Sequence, residues 1–115
     1  MEGITINRAA STTGWSPRML RYLERWGLVA PPRTASGYRV FRAPELQRLR
    51  TLRELLDHFT CGLSDVAFAK RVREEPELAA ALRDWFERPA RRPAGVEAGD
   101  WLTWEQEKHQ RLLAA

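Results

Sequence analysis

Arginine is the residue type whose abundance and position suggest chemistry in this 115-residue chain. All but two of its 19 basic side chains are arginine. Residues 1–60 carry ten basic and five acidic side chains, a net charge of +5, whereas residues 61–115 carry nine and ten. A guanidinium group can bind a phosphate or a guanine edge through two N–H groups at once. The first half is therefore suited to a polyanion such as nucleic acid, although a GC-rich genome would explain the arginine preference equally well.

Other side chains that commonly carry chemistry are sparse. Cys61 is the single cysteine, which excludes a disulfide within the chain, and His58 is its only nearby soft ligand. A zinc site usually needs four ligands, so this pair does not complete one. The sequence also has no glycine-rich phosphate loop and no Ser/His/Asp set. We therefore predict no metal, no other cofactor and no enzyme activity.

The length and the apolar pattern fit one globular domain inside the cell. No apolar run approaches the roughly 20 residues that span a bilayer. The N-terminus has no long apolar stretch and no cleavage signal of a secretory peptide. We predict a cytoplasmic protein that does not contact the membrane and, if it binds nucleic acid, associates with the nucleoid.

Two short helices around a glycine are predicted to position the first arginines. Asn7 can cap a helix over 7–13, and Gly14 interrupts it. Ser16 followed by Pro17 is a strong signal for a second helix, which should run to about Trp26. Such a pair is a helix-turn-helix candidate, with Arg18 and Arg21 on its second helix.

A small two-stranded hairpin is predicted next, followed by a longer helix. The stretch 33–41 is rich in Tyr, Val and Phe, with a Ser36-Gly37 turn signal at its centre. Leucines at helical spacing from Leu46 to Leu56 then predict a buried stripe on a helix that opens at 42–45. One of the arginines on its other faces could contact a phosphate. These are Arg48, Arg50 and Arg53.

The C-terminal part is predicted to hold shorter helices, a linker and a tail helix. Ser64 and Pro76 open two helices, the second running to about Glu87. Proline, arginine and glycine make 88–99 a linker by composition. An amphipathic helix should then cover 100–115. We predict that its apolar side chains bind a partner surface, which could be a second copy, the same chain or RNA polymerase. They are Trp101, Leu102, Trp104 and Leu112.

The region from Ile4 to about Val66 resembles the DNA-binding domain of the MerR family of bacterial transcription regulators. The resemblance rests on the stretch TGWSPRMLRYLERWGL, on the proline pair after it, on GYRVF, and on Leu46, Arg48 and Leu49 of the next helix. It implies a winged helix-turn-helix. The spacing up to Leu63 is closer to the heat-shock-repressor branch than to the metal-sensing branch. Two features depart from the family: Leu23 replaces a usual aromatic, and prolines interrupt the usual long dimerisation helix.

The candidate interface residues follow from this resemblance and from the arginine positions. The resemblance implies DNA contacts by four residues of the second helix, which are Arg18, Met19, Arg21 and Tyr22. Ser16 could donate to a phosphate. Three further side chains on the wing are placed for phosphate or minor-groove contacts. They are Arg33, Tyr38 and Arg39.

These observations combine into one hypothesis. The fold should be mostly α, with a winged helix-turn-helix over 1–75, an accessory helix over 76–87, a linker over 88–99 and an amphipathic tail helix over 100–115. The chain should bind promoter DNA as a homodimer and distort it to control transcription. Alternatives are an architectural, excisionase-like DNA-binding protein, or an adaptor whose tail docks on RNA polymerase or another protein.

Overall fold

The computed structural model describes residues 2–62 and 64–114, with the side chains of Asp65 and Val66 left aside. Met1, Leu63 and Ala115, which the predicted segments include, lie outside this part. The described residues form helices α1 (Ile6–Thr13), α2 (Pro17–Arg25), α3 (Ala43–His58), α4 (Asp65–Glu74), α5 (Pro76–Glu87) and α6 (Trp101–Ala114). A 3₁₀ turn, Ala98–Asp100, leads into α6. The predicted mostly helical fold is confirmed.

The turn between α1 and α2 is held by local side-chain hydrogen bonds. Thr5, and not Asn7, caps α1, because its hydroxyl accepts from the Arg8 N–H at 3.2 Å. At the other end Gly14 adopts φ +81°, and its N–H closes α1 on the Ala10 carbonyl at 2.9 Å. A β-carbon on Gly14 would lie 2.5 Å from Leu113 Cδ2 of α6. The positive φ therefore favours glycine here, and a β-carbon would also force the flexible end of Leu113 to shift.

The prediction of a two-stranded hairpin was wrong. Residues 2–62 and 64–114 contain no strand, and within them only two isolated antiparallel bridges form, Arg33 with Arg39 and Ile4 with Phe41. Pro32 has no backbone N–H to donate, so the hydrogen-bond ladder between the two sides of the hairpin cannot be completed at Pro32. The turn also reverses the chain within seven residues, which leaves little length for two strands. The stretch 33–39, called here the wing loop, is instead closed by hydrogen bonds such as Thr34 N–H to the Tyr38 carbonyl at 2.8 Å.

Helix α3 is the centre of the hydrophobic core. Its leucines 46, 49, 52 and 56 are fully buried, as the predicted stripe requires. Helices α1, α5 and α6 pack directly against α3. The other large buried side chains come from several of these elements: Trp15, Leu20, Leu23, Phe41, Phe68, Leu78 and Trp85.

The tail helix α6 packs on its own chain, against α3 and α1. Two of its polar residues, Glu105 and His109, are fully buried. Glu105 accepts from Arg50 Nε at 2.7 Å, and His109 Nε2 lies 2.7 Å from the Leu46 carbonyl oxygen. Because α6 also reaches Gly14 through Leu113, it braces the turn that sets the position of α2.

Candidate nucleic-acid interface

Helix α2 presents a basic face opposite its core face. Met19, Leu20 and Leu23 are at most 2 % exposed, and their burial fixes the rotation of the helix. Arg18, Arg21 and Arg25 are exposed. Their spacing of three, four and seven residues puts them on one side of the helix, with the half-buried Tyr22 beside them.

Ser16 and Met19 hold the start of this helix. The Ser16 hydroxyl accepts from the Met19 N–H at 3.1 Å, so Ser16 is the N-cap that Pro17 indicated. It stays exposed next to the basic face. Met19 is only 2 % exposed, so its side chain packs in the core and does not reach the surface. This burial does not favour the DNA contact expected of Met19, which stays a prediction.

The wing loop lies against the end of α2 through one carboxylate. Glu24 Oε1 accepts from Arg33 Nη2 at 3.0 Å, and Glu24 Oε2 accepts from Arg39 Nε at 2.7 Å. Arg33 Nη1 also donates to the Gly37 carbonyl at 3.0 Å. Tyr38, at the outer edge of the loop, is 73 % exposed. The structure thus brings the predicted wing residues beside the basic face of α2.

Aromatic contacts tie the same end of α2 to α4. The rings of Tyr22 and Trp26 lie 5.3 Å apart, and Trp26 is equally far from Phe68 of α4. Phe68 is fully buried, whereas Trp26 is 42 % exposed. The partly exposed ring of Trp26 therefore packs between α2 and α4 and connects them.

The three arginines considered on α3 are used inside the chain. Arg48 donates to the Trp85 carbonyl at 2.8 Å and stacks on the Trp85 ring, and burial lowers its pKa. Burial would also lower the pKa of Arg50, but its ion pairs with Glu105 and Glu54 raise it. Arg53 donates to the Thr13 carbonyl at 2.7 Å. These groups position helices, and a role at the interface is not needed to explain them.

The predicted partner-binding residues of the tail lie on the packed helix α6. Trp101, Leu102, Trp104 and Leu112 are all half-buried. Trp101 Nε1 donates to Glu105 at 2.9 Å, and Trp104 lies between Arg50 and Lys108 at about 5 Å. Leu102 packs against the core cluster. Contact with the same chain was one of the open alternatives, and contact with a partner stays a prediction.

Sequence reasoning missed two residues of this surface. Arg25 follows Arg18 by seven residues and Arg21 by four, so helical periodicity alone would have placed it on the basic face. Glu24 was seen only as part of a motif. Its two contacts reach nine and fifteen residues along the chain, and no local pattern announces them.

The remaining reactive groups do not converge. Cys61 is buried, and burial raises the pKa of its thiol, whereas His58 is exposed. Within 2–62 and 64–114 no three His, Cys, Asp or Glu side chains lie close enough to hold a metal ion. None of the helices in the described part is long and apolar enough to cross a membrane.

The arrangement of α1, a glycine turn, α2 and a wing loop defines a helix-turn-helix protein, and its sequence matches a known family. The family of MerR HTH regulatory proteins matches residues 4–65. That match covers more than half of the chain, so the chain belongs to the MerR HTH family.

Three relatives show how far the similarity extends. The chain is 38 % identical over 82 residues to the HTH-type transcriptional regulator HmrR of Sinorhizobium medicae and to the heavy metal-dependent transcription regulator 2 of Rhizobium meliloti. Each match covers 70 % of this chain and 49 % of the relative, so the chain spans about half the length of these two proteins.

It is also 33 % identical over 104 residues to a Streptomyces coelicolor protein provisionally named as the heat shock protein HspR, covering 81 % of this chain and 67 % of that protein. No solved structure matches the chain. Because the relatives carry both metal-linked and heat-shock names, and Leu63 lies outside the described residues, the assignment to a branch stays a prediction.

Proposed function

We propose that this chain binds specific sequences of duplex DNA and regulates transcription from them. The observation that carries the proposal is the exposed face of α2, where Arg18, Arg21 and Arg25 stand side by side next to the wing loop. An α-helix fits the major groove of B-DNA, and arginine is the side chain that most often reads guanine there. Membership of a family of regulatory proteins supports the link to transcription.

In this proposal the two parts of the surface have different tasks. Arg18 and Arg21, near the N-terminal end of α2, read base edges or clamp phosphates, as the N-terminal residues of recognition helices do. Ser16 and Tyr22 donate to phosphates beside them. Tyr38 and Arg39 of the wing loop bind the backbone or the minor groove next to the site.

We further propose that the chain acts as a homodimer on a two-fold site and distorts promoter DNA between the half-sites. Helix α2 has only nine residues, so one copy contacts few base pairs. Pairing two copies doubles the contacts and explains how a 13.3 kDa chain could reach the specificity that a promoter site needs. Sedimentation of the chain with and without DNA tests the stoichiometry.

Selection from a randomised duplex pool tests the proposal itself. The wild-type chain should enrich one sequence family, and the double variant Arg18→Ala, Arg21→Ala should bind it at least about 30-fold more weakly, since each base-reading arginine contributes about 1–3 kcal/mol. A matched control removes two exposed arginines elsewhere, Arg73→Ala and Arg83→Ala, and should keep the preference. Equal binding by the α2 variant, shown by circular dichroism to be folded, would refute the proposal.

A further inference from the structure

One acidic side chain lies within the basic surface, and it binds two arginines at once. Glu24 uses one carboxylate oxygen for Arg33 and the other for Arg39, at 3.0 and 2.7 Å. The three side chains are 24 %, 45 % and 23 % exposed, so the cluster is half-buried at the junction of α2 and the wing loop. The single carboxylate therefore ties the loop to the helix.

The two arginines use different nitrogens, and this makes them unequal. Arg33 donates from both terminal nitrogens, Nη2 to Glu24 and Nη1 to the Gly37 carbonyl. Arg39 donates to Glu24 from Nε, and its two terminal nitrogens donate to no other group within 2–62 and 64–114. Arg33 is thus used to shape the loop, whereas Arg39 is oriented by its Nε and keeps a pair of N–H₂ groups for another acceptor.

A carboxylate at a surface for a polyanion is unfavourable by charge alone. Any favourable effect of Glu24 on DNA affinity must therefore come from ordering its arginine partners. A long side chain that is already held in its bound rotamer loses less entropy on binding. We propose that Glu24 is a positioning residue, which raises DNA affinity by fixing Arg39 for a phosphate and by fixing the wing loop through Arg33. This inference rests on the proposed DNA binding.

The test compares variants on two duplexes of equal length, one enriched by the wild-type chain and one with the same bases scrambled. Glu24→Gln should weaken binding to the enriched duplex about tenfold, the order expected for two arginines that lose their fixed rotamers. Simple electrostatics predicts the opposite sign. Glu87→Gln, which removes an exposed charge from α5, is the matched control and should leave binding within about twofold of wild type.

Salt dependence separates the two arginines. Arg39→Gln should reduce the slope of log K against log salt by about 0.9, the value for one lost phosphate contact. Arg33→Gln should weaken binding while the slope stays that of wild type. In the Arg39→Gln background, Glu24→Gln should add less than about threefold, because the oriented group is already gone. Arg39→Lys keeps the charge but cannot bind Glu24 through Nε, so it should also lose about tenfold.

Circular dichroism and thermal melting establish that each variant is folded. If the wild-type chain binds its enriched duplex and Glu24→Gln binds that duplex equally well or more tightly, the inference is overturned and the proposed function stands. If that variant does not fold, wild-type affinity of Arg39→Lys would overturn it instead. A wild-type chain that enriches no sequence would overturn both.

Discussion

Replacing Glu105 by alanine should loosen the tail helix from the body of the protein. The Glu105 side chain is fully buried and accepts from Arg50 Nε at 2.7 Å and from Trp101 Nε1 at 2.9 Å. The change leaves the guanidinium of Arg50, which is only 15 % exposed, without its closest partner. A buried charge without a partner destabilises the folded state, whatever the intact ion pair contributes to stability.

The size of the effect follows from how much compensation remains. Removing one member of a buried ion pair usually costs about 3–5 kcal/mol. Arg50 keeps a second carboxylate, Glu54, at 3.2 Å, and that group is half exposed. We therefore expect a loss of about 2–3 kcal/mol, which a domain with a total stability of about 5–15 kcal/mol survives.

Urea unfolding followed by circular dichroism measures this loss. The midpoint should fall by about 0.7–3 M at an m-value of about 1–3 kcal/mol per molar. Glu107→Ala, an exposed position on the same helix, is the control and should change stability by less than about 0.5 kcal/mol. A loss below about 1 kcal/mol for Glu105→Ala would refute the argument that this pair anchors α6.

Three further perturbations test other parts of the structure. Gly14→Ala should lower the free energy of unfolding by about 2 kcal/mol, because φ is positive and Leu113 lies where the new methyl group would be. Adding Leu113→Ala should recover only the part of this loss that comes from the clash with Leu113, and paired urea titrations measure both changes. Burial lowers the pKa of His109, so the unfolded chain is protonated at a higher pH than the folded chain, and stability should fall as the pH drops below about 6.5. Thermal melts at several pH values should show that His109→Leu abolishes this loss. Arg48 donates to the carbonyls of Trp85 and Arg88, and Gln47 bonds the Arg91 backbone, so Arg48→Met should loosen the start of 88–97 near Arg88 and speed limited proteolysis there. Unchanged cleavage would contradict its role as a tether.

Local signals in the sequence were sufficient for most helix positions. Ser16-Pro17 and Pro76 mark helix starts through capping and a fixed φ, and both helices begin there. The leucine stripe of α3 is read from its period because one face of that helix is buried along its length. The basic face of α2 is predictable for the same reason, since Leu20 and Leu23 fix which side is turned outward.

Most of what the sequence did not predict depends on contacts distant in sequence, and the missing strands of the wing are the local exception. The side of α6 that packs inward carries Glu105 and His109, and polar residues become core residues only when a partner such as Arg50, 55 positions away, is in place. The wing loop lost its strands for a local reason, the missing N–H of Pro32, but gained its position from Glu24. Met19 was assigned to DNA by resemblance, and only the packing shows that it is enclosed.

Chemical-shift mapping during titration with the enriched duplex tests the central claim most directly. The backbone amides of the ¹⁵N-labelled chain report where DNA binds, residue by residue. We expect the largest changes within 16–26 and 33–39, with small changes on the outer faces of α5 and α6. Changes concentrated in 88–114, with α2 and the wing loop unaffected, would contradict it.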